Sequence, residues 1–375
     1  MINPIDFTKE LQKYGTNFFT GVPDSLLKNF CSCIMYSNLG VENIITANEG
    51  GAMGLAAGKY MASGNIPVVY LQNSGLGNII NPLLSLHDPE VYSIPTLIMI
   101  GWRGEPNVKD EPQHIKQGKV TLDMLDAMNI KYCILSEVWG EAVKQIDEAY
   151  ESMKKDSSPY AIVIRKNTFT EFPKIEEKET TTIAREEAII KIAEALSSSD
   201  IVLSTTGMIS RELYETREKM PNFEGADFLN VGSMGHVSQI ALGIALEKPK
   251  RRIICLDGDG ATLMHLGGLA IIGDLHPHNY FHIILNNSAH DSVGGQPTVA
   301  GNIDFKSLAI SLGYEYVQSI KTLDELFQTL KKLSQIKGPA LIEIKVKKGS
   351  RKDLGRPKTS PINNKGQFIN FLNKE

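Results

Sequence analysis

Two short polar motifs stand 25 residues apart in the second half of the chain, each directly after an apolar run. Gly258-Asp259-Gly260 follows the run from Arg252, and Asn286-Asn287 follows Tyr280-Phe-His-Ile-Ile-Leu285. Glycines let a backbone approach a ligand closely, and a helix starting after such a turn offers free N–H groups to phosphate. Asp259 supplies a carboxylate oxygen and Asn287 an amide oxygen; with a diphosphate they form the oxygen-rich set that Mg²⁺ prefers. The intervening residues 261–285 accommodate one helix, one turn and one strand. That is a single right-handed crossover, which sets the two motifs side by side at the carboxyl edge of a parallel sheet. Either motif alone is an ordinary turn; the pair at strand ends is specific.

The first half has a candidate acid. In Ile44-Ile-Thr-Ala-Asn-Glu-Gly-Gly-Ala-Met-Gly-Leu-Ala-Ala-Gly58 a short strand runs into Glu49, which opens a helix of small residues. From pattern alone Glu49 is either a surface group complementing the helix dipole or an acid aimed at a ligand. Arg103 follows an apolar run, with the fork geometry for a bidentate anion contact or a place on a surface loop. Asp24 and Ser25 follow the Gly21-Val-Pro turn, as site residues or as the N-cap of the next helix. His114 and His290 lie after strands, where an imidazole either relays protons or is simply solvated.

The elements that must hold these residues are legible as apolar runs of strand length. They are Val68–Gln72, Thr96–Ile100, Tyr132–Leu135 and Ala161–Ile164, then Ile201–Leu203, Asp227–Asn230, Arg252–Leu256, Tyr280–Leu285 and Ala340–Val346. Helical stretches lie between them, including Asp24–Tyr36, Glu49–Ser63 and Trp139–Lys155. Continuous apolar strands imply sheets covered on both faces, hence an α/β fold of two doubly wound parallel-sheet domains. Residues 1–170 form the first domain and 188–375 the second, joined by a Glu/Lys/Thr-rich exposed linker, 171–187.

At 375 residues, 42% hydrophobic and 22% charged, the chain is globular rather than disordered, and its formal charge of −4 does not suggest a nucleic-acid coat. No apolar run reaches the roughly 20 residues that span a bilayer, and the N-terminus lacks a signal pattern. The four cysteines read as reduced thiols, and the expectation is a cytoplasmic protein with neither membrane nor nucleic-acid partner.

Gly258-Asp259-Gly260 with Asn286-Asn287 resembles the signature of thiamine diphosphate (ThDP) enzymes. The resemblance implies that Asp259, the Asn287 side chain and the Ala289 carbonyl bind Mg²⁺. It places Gly258, Gly260, Ala261 and Thr262 at the diphosphate, with Thr206 and Gly207 of Ser204-Thr-Thr-Gly207 covering its other side. Asn230-Val-Gly-Ser-Met-Gly-His236 resembles the loop that bends the cofactor, with Met234 as a wedge between the rings and the Gly232 carbonyl accepting from the amino group. Met234 as core filler stays open. Such enzymes need a carboxylate beside the aminopyrimidine N1′, and the segment around Glu49 resembles the pyrimidine-domain motif that provides it. The two domains then become a pyrimidine-binding (PYR) and a diphosphate-binding (PP) domain. In this family an active site takes its two halves from different subunits, implying a homodimer or homotetramer.

Two domains without a central third resemble the compact branch of phosphonopyruvate and sulfopyruvate decarboxylases. Phe19–Ser25, Gly101–Glu105 with Asp110–His114, Asn286–Pro297 and Gly349–Pro357 look more like the phosphonate enzymes, and in the sulfonate branch the domains are often separate chains. The expected activity is decarboxylation of 3-phosphonopyruvate to phosphonoacetaldehyde in phosphonate biosynthesis. An anionic 2-keto acid needs cationic donors, for which Arg103, Arg351 and Arg356 stand with Asp24 and Ser25; His114 and His290 would move protons. Residues 345–358 carry seven basic groups, as a solvated end or as a flap over the substrate. Alternatives are a sulfopyruvate decarboxylase, another 2-keto acid decarboxylase or carboligase, and a catalytically silent ThDP-binding subunit. A phosphoryl transferase is disfavoured because no Gly-x-x-x-x-Gly-Lys-Ser/Thr loop occurs.

Overall fold

The computed structural model describes residues 1–173, 181–221 and 223–374. The chain divides into two compact units, Met1–Glu177 and Lys178–Glu375. The first unit contains β1 (Phe18–Gly21), β2 (Glu42–Ile45), β3 (Val68–Gln72), β4 (Leu97–Gly101), β5 (Lys131–Ile134) and β6 (Tyr160–Ile164). They form one sheet in the order β2-β1-β3-β4-β6-β5, and every pairing is parallel.

The second unit contains β7 (Ile201–Ser204), β8 (Phe228–Leu229), β9 (Ile253–Gly258), β10 (Tyr280–Asn286), the short pair β11 (Ala289–His290) and β12 (Gln296–Pro297), β13 (Tyr316–Ile320) and β14 (Ala340–Lys345). Its sheet runs β13-β14-β10-β9-β7-β8, again all parallel. With the β11–β12 ribbon set aside, both sheets have the same order, 2-1-3-4-6-5 in each unit's own count.

Chemistry dictates this layering. The central strands are buried along nearly their whole length, and each sheet has a hydrophobic cluster on both faces. Burying a Val, Leu, Ile or Phe side chain contributes about 1.5–3 kcal/mol, so strands of this type are stable only beneath helices on both sides. The helix Glu49–Ser63 starts where the Asn48 side chain accepts from Gly51 N–H at 2.9 Å, and stops at Gly64, whose φ of 73° no L side chain adopts readily. Its face of Ala52, Met53 and Ala56 packs on the first sheet.

The linker expected over 171–187 ends sooner in the structure. Residues 174–180 lie outside the described ones, but Ile183 is fully buried in the second core and a helix begins at Arg185. Lys347 N–H donates to the Ile183 carbonyl at 2.8 Å, fastening this segment beside the end of β14. All four cysteines are free thiols. No helix among the described residues is long and apolar enough to cross a membrane.

Candidate active site

In the first unit the polar residues gather where β1, β2, β3 and β4 end. Glu49 is the first residue of its helix and buried; Asn78 Nδ2 donates to its Oε2 at 2.7 Å. Its Oε1 lies against Gly75, where an added Cβ would overlap the carboxylate, so glycine there is a requirement of the acid.

Beyond β1 and β4 a second group closes up. Arg103 donates through Nη1 to Ser25 Oγ at 2.7 Å, while Nε (2.8 Å) and Nη2 grip Asp110. Asp24 is fully buried: Gln72 Nε2 donates to it at 2.6 Å and Leu26 N–H at 2.8 Å, and Gly101 makes room for it. Asp24 caps this turn and not the next helix, which begins at Lys28. Burial alone would raise the Asp110 carboxyl; its bonds to Arg103 and to the Glu111 and Gly104 N–H groups reverse that and hold it well below the usual carboxylate range. The Arg103 fork, read as open for a substrate anion, is therefore engaged by Asp110, with Nη1 directed at Ser25. His114 sits in the first turn of the helix Pro112–Ala127, and its buried Nδ1 has no hydrogen-bond partner among the described residues. Burial first, and the Arg103 charge second, lower its pKa from the ordinary imidazole value.

In the second unit a polar set of its own stands at the ends of β7, β8, β9 and β10. Asp259 follows β9 directly, buried, with the Thr298 hydroxyl donating to Oδ2. Burial pushes its carboxyl up to about 6, against the stabilising Thr298 and Asn287 N–H bonds. Asp257 holds the turn from below: its Oδ1 accepts from Gly258 N–H at 2.9 Å, and its Oδ2 from Thr262 Oγ at 3.2 Å and sits 3.1 Å from His282 Nε2. Ala261 continues the same short helix, Asp259–Met264. Asn287 Oδ1 accepts from Ala289 N–H at 3.0 Å, bending the chain after β10 so that Ala289 comes back toward the turn.

A Cβ placed on Gly260 would lie 3.0 Å from His290 Cε1 and 3.4 Å from Met234 Cε. The structure thus brings Gly260, Met234 and His290 together. Enclosure lowers the His290 imidazole to about 4. Thr206 Oγ donates to the Val231 carbonyl at 2.8 Å, tying the end of β7 to the loop that carries Gly232 and Met234. Gly207 has φ 98°, and a Cβ on it would come within 2.6 Å of Ser292 Oγ.

These residues fit a diphosphate and a hard cation. Asp259 and Asn287 offer oxygen ligands, and the Thr205 hydroxyl and Asn230 Nδ2, at the ends of β7 and β8, are buried without partners among the described residues. Family comparison agrees on the cofactor. The N-terminal TPP binding domain of thiamine pyrophosphate enzymes matches residues 6–135, and their C-terminal TPP binding domain matches 205–344. Phosphonopyruvate decarboxylase of Streptomyces viridochromogenes is 32% identical over 99% of this chain and 95% of its own length. The Streptomyces hygroscopicus phosphonopyruvate decarboxylase is also 32% identical, over 99% and 94%. The chain belongs to the phosphonopyruvate decarboxylase family of thiamine pyrophosphate enzymes.

As a member it is a ThDP-dependent 2-keto acid decarboxylase, a carbon–carbon lyase. Sulfopyruvate decarboxylase of Methanosarcina acetivorans is 27% identical over 93% of this chain and 93% of its own. Both domains in one chain therefore do not by themselves separate the phosphonate from the sulfonate branch.

The basic segment after β14 is already engaged within its own unit. Arg351 is held by Glu186 at 3.0 Å, by Asp353 at 3.0 Å and by Glu215, so three carboxylates already meet the guanidinium read as closing on substrate. Arg356 is exposed in the following segment. This stretch is not a loose end: Gly349 N–H donates to Asp291 at 3.0 Å, and the closing helix Pro361–Leu372 buries Phe368 and Phe371 in the core. Sequence reasoning assigned no individual role to Asn78, Gly75, Gln72, Asp110 or Gln296, whose buried amide has no partner at either end among the described residues, and it included Thr205 and Asn230 only within their segments, Ser204–Gly207 and Asn230–His236. Asp110 and Gln296 stand inside motifs already singled out, so position was the available signal.

Proposed function

We propose that the protein converts 3-phosphonopyruvate to phosphonoacetaldehyde and CO₂ in phosphonate biosynthesis, with Mg²⁺ and ThDP, at sites shared between subunits of a homo-oligomer. The observation that carries the substrate is the near full-length likeness to two phosphonopyruvate decarboxylases, and the Arg103–Ser25–Asp24 group supplies matching chemistry. Asp259, Asn287 and the Ala289 carbonyl would hold Mg²⁺. Thr205, Asn230 and the N–H groups at Gly260, Ala261 and Thr262 would face the diphosphate, with Gly207 and Gly232 letting the backbone approach. Bound ThDP supplies a nucleophilic carbon and an electron sink for the departing carboxylate.

Glu49 would meet the aminopyrimidine nitrogen. Because Asn78 occupies Oε2, the shared proton belongs at Oε1. Met234 would press between the cofactor rings. Ser25 and Arg103 Nη1 would face the phosphonate, with Asp110 fixing the guanidinium. His114, kept neutral near pH 7 by its lowered pKa, can pass a proton through its unpaired Nδ1, and His290 over Gly260 is the other proton carrier.

Sulfopyruvate is the second reading, favoured by the Methanosarcina acetivorans relative. CO₂ release by the purified protein with ThDP and Mg²⁺, measured on phosphonopyruvate, sulfopyruvate and pyruvate, separates the readings. The expected order puts phosphonopyruvate ahead in kcat/KM by about tenfold or more, the discrimination a few well-placed polar contacts provide. A sulfopyruvate preference overturns the assignment, and activity unchanged after removal of divalent metal overturns Mg²⁺.

A further inference from the structure

Asp291, four residues after the amide ligand, has no part in the site as described, yet three donors converge on one of its oxygens. Its Oδ2 accepts from Asn287 Nδ2 at 2.6 Å, Arg185 Nη1 at 2.7 Å and Gly349 N–H at 3.0 Å. Arg185 also grips Glu212 through Nε at 2.9 Å and Nη2 at 3.0 Å, and reaches the Gly349 carbonyl at 3.2 Å. The side chains of Arg185 and Glu212 are 4% and 2% exposed and that of Asp291 11%, so these contacts are shielded from solvent.

A carboxamide has a donor end and an acceptor end. Fixing the NH₂ of Asn287 on a carboxylate fixes which way its oxygen points. Two carboxylates, Glu212 and Asp291, share the single Arg185 charge, so net negative charge remains beside the Asn287 amide to polarise it and raise the electron density on Oδ1. Partners of this kind orient metal ligands and raise their basicity. Asp291 Oδ2 already serves three donors, so this oxygen is committed to positioning and not to the metal.

We propose that Asp291 and Arg185 are positioning residues for the metal site: Asp291 sets the orientation of Asn287, and Arg185 holds Asp291 in place. The same carboxylate ties Gly349, and with it the chain leaving β14, to the metal loop. The inference rests on reading Asn287 as a Mg²⁺ ligand.

The test is calorimetric titration of Mg²⁺ into full-length protein at saturating ThDP, on the parent and on Asp291→Asn, Asp291→Ala, Arg185→Lys and Arg185→Ala. Melting temperature without metal is measured alongside. Asp291→Ala should weaken Mg²⁺ binding about 10–100-fold, the usual cost of losing such a partner. Asp291→Asn should fall between it and the parent, and Arg185→Lys should recover part of the loss in Arg185→Ala. A merely structural role would lower the melting temperature and leave the Mg²⁺ affinity of folded protein unmoved; folded Asp291 variants within about twofold of the parent overturn the proposal. If Arg185→Ala does not fold, the Asp291 pair decides. Should the parent, or Asn287→Ala compared with it, show no dependence on Asn287 for Mg²⁺ binding, the ligand reading fails instead.

Discussion

A Cβ on Gly75 would overlap Glu49 Oε1, while Asn78 holds Oε2, so the acid is oriented by one absent side chain and one amide. Proton transfer by a positioned group contributes about 10²–10⁴ in rate, so Glu49→Gln should lower kcat by that much while ThDP and Mg²⁺ still bind. Gly75→Ala should act in the same direction by displacing the carboxylate, at an overpacking cost of about 1–3 kcal/mol in stability. Steady-state kinetics with cofactor titration check both; full activity in Glu49→Gln would sink the role given to it. Glu49, Asp259 and Asn287 were legible because each stands at a strand end among small or polar residues. Arg185 was not: its meaning depends on Asp291, 106 residues away, and it sits in a stretch whose composition reads as linker. Asp110 is only seven residues from Arg103, yet pattern offers no means to tell a fixed fork from an open one.

At the scale of elements, the strands legible in the sequence are chiefly the central ones. β3, β4, β9 and β10 are buried nearly throughout and read as continuous apolar runs. β13 is mostly half-buried at a sheet edge and lacks the continuous signal; β2, also at an edge, shows only as the short strand running into Glu49, and β1, though interior and buried, is four residues long and ends in Thr20-Gly21. The opposite edge, β8, is only two residues long and is completed from outside: Asn364 accepts from Leu229 N–H at 3.1 Å and donates to the Asp227 carbonyl at 2.9 Å. Another tie between elements titrates. His87 is fully buried, with Nε2 3.0 Å from the Met53 carbonyl and Nδ1 3.0 Å from Thr96 Oγ, joining the helix Glu49–Ser63 to the approach to β4. Burial lowers its pKa below the ordinary 6.5, against its backbone hydrogen bonds. Below about 6.5 the unfolded chain takes up a proton that the folded one refuses, so stability is intact above that pH and declines as pH falls through the lowered folded value. The slope from one such site reaches about 1.4 kcal/mol per pH unit. Melting temperatures between neutral and mildly acid pH should fall less steeply in His87→Gln than in the parent; equal slopes would remove His87 from the account.

For the whole molecule, two units with one strand order carry complementary halves of the proposed chemistry: Glu49 as the acid in Met1–Glu177, and the proposed metal and diphosphate turn in Lys178–Glu375. A repeated topology explains why both sets of residues stand at carboxyl strand ends, where open parallel sheets bind ligands. Under the proposed function Glu49 serves the Asp259 of a second copy, and mixing of subunits tests it. Glu49→Gln and Asp259→Asn proteins are each expected to be nearly inactive. If sites are built between chains, a mixed dimer has one site with both native residues and one with neither. Random reassortment of equal amounts makes mixed dimers about half the population, so about a quarter of parental activity should return. If each site lies within one chain, every site in the mixture lacks one group and no activity returns. Recovery must follow subunit exchange, appearing after dissociation and reassembly and not on brief contact of preformed oligomers. That time dependence distinguishes shared sites from residual activity in either variant.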